Sequence, residues 1–231
     1  MLRVVKESPR PDPSPTRSAS PSLSALLRER TSRLHAQAER SGVVNDILRG
    51  RADLGRYALF VRNLLPVYAE MERCLVRRRR TATIALFARP ELRRTQRIVA
   101  DLDALWGEDW HCELPVLPAA ERYAARVSAA GRGDGATLIA HAYVRYFGDL
   151  SGGQVLKRLI GGALAIGPAG LSMYEFPGIA DPEAAKHEMR TAIDREGGIA
   201  ARDELIVEEG MRAFEHSIEL SLAVQMHALP A

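Results

Sequence analysis

The sequence predicts an all-α protein folded as a single multihelical domain. Apolar residues recur at spacings of three, four and seven along most of the chain, which places them on one face of successive helices. No segment alternates polar and apolar residues with a period of two, and few are rich in β-branched residues, so a sheet has little support. With 231 residues, 46% of them hydrophobic, the chain is long enough to bury one sizeable core.

The first periodic segment follows an N-terminal stretch of different composition. Residues 1–22 carry five prolines among serine, threonine and arginine, and this composition cannot bury enough apolar surface to offset the entropy of ordering. We therefore expect a disordered tail at 1–22, a helical domain at 23–226 and a C-terminal tail at 227–231. Leu23, Leu27 and Leu34 share one face and predict a helix over about 23–40.

The remaining helices follow from the same pattern and from the residues that interrupt it. A broad apolar stripe over 53–79 predicts a long helix that Pro66 can kink. Gly107 supplies a stop for a helix over 91–106, and residues 131–135 form a glycine-rich turn. Further helices are expected over 118–130, 136–163, 181–195 and 199–225.

Cysteine content and hydropathy bear on the compartment. Cys74 and Cys112 have no CxxC spacing and are too few for a disulfide framework, which favours a reducing compartment. No run approaches the roughly 18 consecutive apolar residues that a membrane span needs. The first residues also lack the apolar core and cleavage site of a secretory signal. The sequence therefore predicts a cytoplasmic protein without a membrane anchor.

The charge is modestly basic, with a formal net charge of +3 and a pI near 9.1. This excess could favour an anionic ligand or an acidic partner without choosing between them. Lys6, Lys157 and Lys186 are the only lysines among 32 basic residues, so a single arginine is weak evidence for a site. The Arg77–Arg80 run fits a solvated helix end or, less readily, a docking patch for an acidic electron carrier. No nucleic-acid-binding motif accompanies the charge.

The most informative segment contains three glycines within six residues of a helical pattern. Each interior glycine costs a helix about 0.5–1 kcal/mol relative to alanine, so Gly148, Gly152 and Gly153 need a compensating role. Gly148 and Gly152 are four residues apart and share a face, which leaves a groove suited to a planar ligand. For a GxxxG pattern taken by itself, a helix crossing or an interhelical loop is the better explanation.

His35 in the first helix is a candidate metal ligand. It lies beside the apolar stripe, and imidazole is a suitable ligand for iron. A ligating histidine usually donates its other ring N–H to an acceptor, which Glu39, one turn further on, could supply directly or through water. A lone helix histidine is more often structural or solvated. The other histidines form no HExxH or similar metal-binding spacing.

The glycine-rich segment also resembles a known family. Residues 146–154, YFGDLSGGQ, are similar to the signature of the heme oxygenases, and segments around 35–39, 89–107 and 176–180 extend the resemblance to about residues 23–220. The resemblance implies a helical fold in which haem, both cofactor and substrate, is sandwiched between a proximal and a distal helix. The implied reaction is the cleavage of haem to biliverdin, using O2 and electrons and releasing CO and ferrous iron.

The resemblance also implies roles for individual residues. His35 would ligate the iron on the proximal side, with Glu39 beside it. Basic and aromatic residues would meet the haem propionates, namely Arg28, Tyr143, Lys186 and Arg190. The distal face would be covered by the segment that includes Gly148, Ser151 and Gly152. Asp149 would hold the ordered water that delivers a proton, supported by Tyr68 and Arg145. Without the resemblance, Lys186 and Arg190 would be a solvated charged face and Asp149 an interhelical contact.

A separate electron donor is expected, because the chain has neither a GxGxxG fingerprint nor a P-loop. A reductase, a ferredoxin or a flavodoxin would fill this role, acting on a monomer, with cleavage expected at the α-meso carbon. Three alternatives stay open. A haem carrier or sensor would keep His35 without turnover, although the intact GDLSGG run argues for turnover. A thiaminase-type hydrolase or di-iron oxidase would need a reactive cysteine or paired ligands, and a nucleic-acid-binding module would rest on charge alone.

Overall fold

The computed structural model describes residues 21–228, and within that range every regular element is a helix. The prediction of an all-α fold is therefore confirmed. The predicted N-terminal tail lies outside the described residues except for positions 21 and 22, and so do residues 229–231 of the predicted C-terminal tail. None of the helices between residues 21 and 228 combines the length and the apolar character needed to cross a lipid bilayer.

Twelve α-helices are found within the described residues. They are α1 (Leu23–Glu39), α2 (Gly42–Leu48), α3 (Leu54–Arg78), α4 (Ala82–Phe87), α5 (Thr95–Trp106), α6 (Trp110–Glu113), α7 (Pro118–Ala130), α8 (Leu138–Ala142), α9 (Gly148–Ser151), α10 (Gly153–Leu164), α11 (Pro182–Glu196) and α12 (Ala200–Met226). A π-helical segment, Tyr143–Phe147, joins α8 to α9. Short 3-10 turns occur at Pro90–Leu92, Pro168–Gly170 and Ser172–Tyr174.

The longer helices agree with the periodic pattern of the sequence, and α3 continues through Pro66. The short helices α2, α4 and α6 were not predicted, because four to seven residues contain too few turns for a periodic signal. Two of them nevertheless contribute to the core, α2 through Val43 and Ile47 and α4 through Ile84 and Phe87.

The expectation of one continuous helix over 136–163 was wrong. The segment starts as α8 at Leu138, widens into the π-helical segment, tightens again as α9 and breaks at Gly152 before α10. A π turn accommodates an extra residue and occurs often at functional sites. The segment is therefore bent, and α9 and α10 are separate short helices.

The two longest helices, α3 and α12, organise the packing. Helix α12 packs against α1, α2, α7 and α8, whereas α3 packs against α5 and α7. Gly210 in α12 allows a close approach, because a Cβ there would lie 2.9 Å from Leu27 Cδ2 of α1. Helix α12 also contacts the π-helical segment, so it forms a common support behind α1 and that segment.

A buried ion cluster joins three of these helices. Glu209 of α12 accepts a hydrogen bond from Arg126 Nε of α7 at 2.7 Å, and His141 Nε2 of α8 lies 2.8 Å from the same oxygen. Burial raises the pKa of Glu209, but the hydrogen bonds from His141 and Arg126 outweigh burial and lower that pKa to about 2. Burial lowers the pKa of His141, so its neutral ring donates to the carboxylate.

We expect Glu209→Gln to lower the free energy of unfolding by about 2 kcal/mol at neutral pH, because the cluster loses its anion. The pKa of Glu209 falls from 4.5 to about 2 on folding. Its contribution is therefore complete above its ordinary pKa and is lost as the pH falls towards 2. Urea unfolding at neutral pH and near pH 3.5 should show the difference between wild type and variant shrinking in acid.

The matched control is Glu204→Gln, which removes an exposed ion pair with Arg30 between α12 and α1. Its effect should stay below about 0.5 kcal/mol at either pH. An effect of Glu209→Gln that is the same at both pH values would contradict the depressed pKa.

Candidate functional site

A cavity of about 480 Å³ opens between α1 on one side and the π-helical segment with α9 and α10 on the other. Phe214 and Leu220 of α12 contribute to its lining, as do Phe60 and Leu64 of α3. Most of the predicted site residues lie at its surface, namely Arg28, His35, Glu39, Tyr143, Arg145, Gly148, Asp149, Ser151, Gly152 and Arg190. The fold therefore brings together residues separated by up to about seven tenths of the chain.

The α1 wall carries a histidine that is open to the cavity. The side chain of His35 is 55% exposed, and its ring makes an edge-to-face contact with the Phe214 ring, with 5.7 Å between the ring centres. His35 Nδ1 lies 3.8 Å from Glu39 Oε1, which is too long for a direct hydrogen bond. A water or a small shift of Glu39 would be needed for this carboxylate to orient the imidazole.

The opposite wall, formed by the π-helical segment, α9 and α10, has no side chains at its glycines. A Cβ added to Gly148 would meet no atom within 4 Å, and one added to Gly152 would make ordinary contact with the Gly148 carbonyl oxygen at 3.4 Å. The φ angles of Gly148 and Gly152, −59° and −79°, belong to the right-handed helix that any residue adopts. These two glycines therefore keep the wall free of side chains rather than allow an unusual backbone.

Asp149 belongs to a buried hydrogen-bonded network at this wall. Tyr68 of α3 donates its hydroxyl proton to Asp149 Oδ2 across 2.6 Å. Arg145 Nε donates to the Tyr68 hydroxyl oxygen at 3.0 Å, and its guanidinium carbon lies 5.0 Å from the centre of the Tyr68 ring. Tyr68 does not line the cavity itself, so it acts as a support beneath Asp149.

The electrostatics of the network set the role of each group. Burial raises the pKa of Asp149, and this effect is larger than the lowering of that pKa by Arg145 and Tyr68. Burial also raises the pKa of Tyr68 well above its ordinary value, so the phenol stays protonated and donates. Burial lowers the pKa of Arg145, but Tyr68 and Asp149 raise it by more, so this guanidinium stays charged.

A basic and aromatic rim lies at one end of the cavity. The guanidinium carbon of Arg190 is 5.3 Å from the centre of the Phe147 ring, which is 4.7 Å from the Tyr143 ring. Burial raises the pKa of Tyr143, and the charges of Arg190 and Arg28 oppose this rise. Both arginines are exposed and lie within electrostatic reach of one phenol, which makes this end suited to carboxylates.

Lys186 does not line the cavity, unlike the other predicted basic residues. It is 5% exposed, and its Nζ donates to Ser151 Oγ at 2.9 Å and pairs with Glu183 Oε1 at 2.6 Å. Lys186 therefore ties α11 to α9 from behind the wall. Arg190, one turn further along α11, is exposed, so helix packing buries only the first of these two basic residues.

Several lining residues were not identified from the sequence. Tyr123 of α7 lines the cavity, and so do Ser217 of α12 and the pair Met173 and Tyr174. Met173 and Tyr174 lie in a 3-10 turn without periodicity, so no local pattern marks them. The Arg77–Arg80 run, by contrast, lies outside the lining, and Arg78 Nε donates to the Gly131 carbonyl at 3.2 Å.

Similarity to known proteins establishes the family. The family model described as Heme oxygenase matches residues 21–223. The chain belongs to the heme oxygenase family. It is 34% identical over 201 residues to Heme oxygenase 1 of Synechocystis sp., covering 87% of this chain and 84% of the relative. It is 32% identical to Heme oxygenase 1 of Homo sapiens over 217 residues, which is 93% of this chain and 74% of the relative.

Solved heme oxygenase structures share the fold. Heme oxygenase-1 from Synechocystis sp., determined in complex with heme, has a TM-score of 0.82 and 33% identity, covering 87% of this chain and 91% of its own. Heme oxygenase from Leptospira interrogans has a TM-score of 0.82 and 32% identity, covering 87% of this chain and 99% of its own. This chain is thus an enzyme of the heme oxygenase family with the family's all-α architecture.

Proposed function

We propose that this chain binds haem in the cavity and cleaves it to biliverdin, releasing CO and ferrous iron. The observation that carries the proposal is the pairing of two walls: an open histidine on α1 faces a glycine wall that holds the buried Tyr68–Asp149–Arg145 network. O2 is the co-substrate, and electrons come from a separate reductase, ferredoxin or flavodoxin. The enzyme acts as a monomer.

The residues of the cavity fit the chemistry of haem. Haem is flat and largely apolar, and a wall without side chains at Gly148 and Gly152 can lie against a flat ring. Its two carboxylates suit Arg28 and Arg190 at the basic rim. Its iron suits the imidazole of His35, the only histidine among the described residues that line the cavity. Each chemical feature of the ligand thus has a counterpart in this chain.

The bound haem supplies the redox-active iron and the carbon that is oxidised. Asp149 would hold an ordered water at the glycine wall and pass a proton through it. Tyr68 supports the carboxylate from below, and Arg145 fixes the Tyr68 hydroxyl. His35 would ligate the iron from the opposite wall, with Glu39 orienting the imidazole through water. Arg28 and Arg190 would seat the carboxylates and so favour cleavage at the α-meso carbon.

The test is to add haemin to the purified chain, record the absorption spectrum, and then supply ascorbate or a reductase system in air. Loss of the Soret band with the appearance of biliverdin is expected. A haem spectrum that stays unchanged under reducing conditions would instead indicate a carrier or sensor. Failure to bind haemin at all would overturn the proposal.

The basic rim makes a separate prediction about ligand selection. Arg190→Gln should weaken haemin binding by roughly tenfold, because a charge-assisted hydrogen bond contributes about 1.5–3 kcal/mol. Binding of haemin dimethyl ester, which lacks the carboxylate charges, should change little. Spectroscopic titration of both ligands measures the two affinities. Arg195→Gln, which removes an exposed arginine of α11 that does not line the cavity, is the matched control.

An equal loss of affinity for haemin and for its ester would show that Arg190 supports the wall by packing on Phe147 rather than by binding carboxylates. That result would contradict the assignment of the rim without affecting the proposed reaction.

A further inference from the structure

One side chain of α11 bonds directly to the glycine wall of the cavity. Lys186 Nζ donates a hydrogen bond to Ser151 Oγ of α9 at 2.9 Å. Ser151 lines the cavity, whereas Lys186 lies behind it with 5% of its surface exposed. Among residues 21–228, this is the one hydrogen bond that joins α11 to α9. The polar contact between the two helices therefore depends on a charged donor that is almost completely removed from water.

The chemistry of the two groups fixes the direction of this bond. An ammonium group has three donors and no acceptor, so the Ser151 oxygen is the acceptor. Glu183 Oε1 pairs with the same ammonium at 2.6 Å, but the Glu183 side chain is 77% exposed, so water screens this pair. Without the Ser151 oxygen, a donor on the buried side of Lys186 would lose its partner, which is costly away from water.

Helix α9 is held by polar contacts on two sides. Asp149 bonds to Tyr68 of α3 at 2.6 Å, and Ser151 bonds to Lys186 of α11 at 2.9 Å. Successive residues of an α-helix are turned by about 100°, so positions 149 and 151 are about 200° apart and lie on nearly opposite faces. The helix is thus held between α3 and α11, and each bond limits its rotation about its own axis.

Few other contacts can fix the rotation of α9. The helix has four residues and lies between the π-helical segment and the break at Gly152. Gly148 has no side chain, and Leu150 is the remaining side chain, buried in the core. A helix this short is not stable in isolation, so tertiary contacts decide its position. A rotation that moves Ser151 away from α11 would also move Asp149 from its place at the cavity.

We infer that Lys186 is a positioning residue, which fixes α9 through Ser151 and so holds the Asp149 carboxylate in place at the cavity. The charge of Lys186 acts on the wall and not on a carboxylate of the ligand. This inference rests on the proposed function, because the place of Asp149 matters for the proton delivery proposed above. A carboxylate that leaves its place for part of the time slows the reaction without weakening the binding of the ligand.

Ser151→Ala and Lys186→Met in the full chain each remove the bond, the first by a small change at an exposed position. Hydrogen–deuterium exchange measures how often α9 opens, since the Gly152 N–H donates to the Gly148 carbonyl at 2.8 Å. Exchange at Gly152 should be roughly tenfold faster in either variant, the scale of one lost hydrogen bond. The double variant should exchange no faster than the single variants, because all three lack the same bond.

Turnover supplies a readout that a general loss of structure would not give. Single-turnover Soret decay should slow by roughly threefold or more in either variant, while the affinity for haemin and for haemin dimethyl ester changes by less than roughly twofold. In an Asp149→Ala background, Lys186→Met should cause no further slowing, because the group that it positions is absent.

Lys157→Met is the matched control. Lys157 of α10 also forms an ion pair, with Glu175 at 2.6 Å, and it does not line the cavity. This variant should change neither the exchange at Gly152 nor the rate of Soret decay.

Unchanged exchange at Gly152 in both test variants would overturn the inference, and so would a further slowing by Lys186→Met in the Asp149→Ala background. Weaker binding of haemin but not of its ester in Lys186→Met would also overturn it, because Lys186 would then bind carboxylates directly. Absence of haemin binding by the wild-type chain would instead remove the proposed function. Exchange in the chain without haemin would still report whether the bond fixes α9.

Discussion

Asp149→Ala is expected to leave haemin bound and to slow its cleavage to biliverdin by roughly a hundredfold or more, the usual scale for losing a positioned proton donor. The carboxylate lines the cavity and is supported from below by Tyr68 at 2.6 Å. Alanine removes the group that holds the water, whereas His35 and the basic rim are untouched. Single-turnover absorption spectroscopy with ascorbate as reductant measures the rate of Soret decay and the biliverdin yield.

Two further variants separate the possible reasons for such a loss. Asp149→Asn keeps the size of the side chain and an oxygen that can accept from Tyr68, so it should retain more activity than alanine if water-holding matters more than charge. Tyr68→Phe removes only the supporting hydroxyl and should lose less activity than Asp149→Ala. A biliverdin yield and rate unchanged in Asp149→Ala would reject a role for this carboxylate in proton delivery.

His35→Ala should weaken haemin binding by more than roughly tenfold and shift the Soret band, because the iron loses its imidazole. His35 lines the cavity, so its ring is accessible to a haem bound there. His35 is 55% exposed and makes an edge-to-face contact with Phe214, so its removal should cost little folding stability. Imidazole added in solution should enter the vacated space and restore the spectrum.

His111→Ala is the control for this prediction, since His111 is exposed on α6 and does not line the cavity. It should bind haemin like the wild type. If His35→Ala binds haemin with an unchanged spectrum, another group ligates the iron. If imidazole fails to rescue a variant that is still folded, the ring acts by packing rather than by ligation.

Local patterns predicted those parts of the site that lie within a single helix. The apolar spacing of Leu23 and Leu27 sets the buried face of α1, and that register leaves His35 at the cavity. Gly148 and Gly152 are four residues apart, so any helical path keeps them on one face. The resemblance to heme oxygenases identified Asp149, Arg145 and Tyr68 as one network. These features depend on residues close in sequence or on a recognisable motif.

The contacts that complete the site join residues far apart in the chain, and no local pattern encodes them. Helix packing brings Tyr68 to Asp149 across 81 positions and directs Lys186 to Ser151 instead of to the cavity. Asp101 accepts hydrogen bonds from the backbone N–H groups of Ser172 and Met173, in a turn that no periodic pattern marks. These bonds fix the turn so that Tyr174 becomes part of the cavity wall. The sequence by itself determined most of the longer helices, their apolar faces and the glycine wall, because these follow from local geometry. Only the tertiary structure decided which polar groups meet, because that depends on how the buried faces pack together.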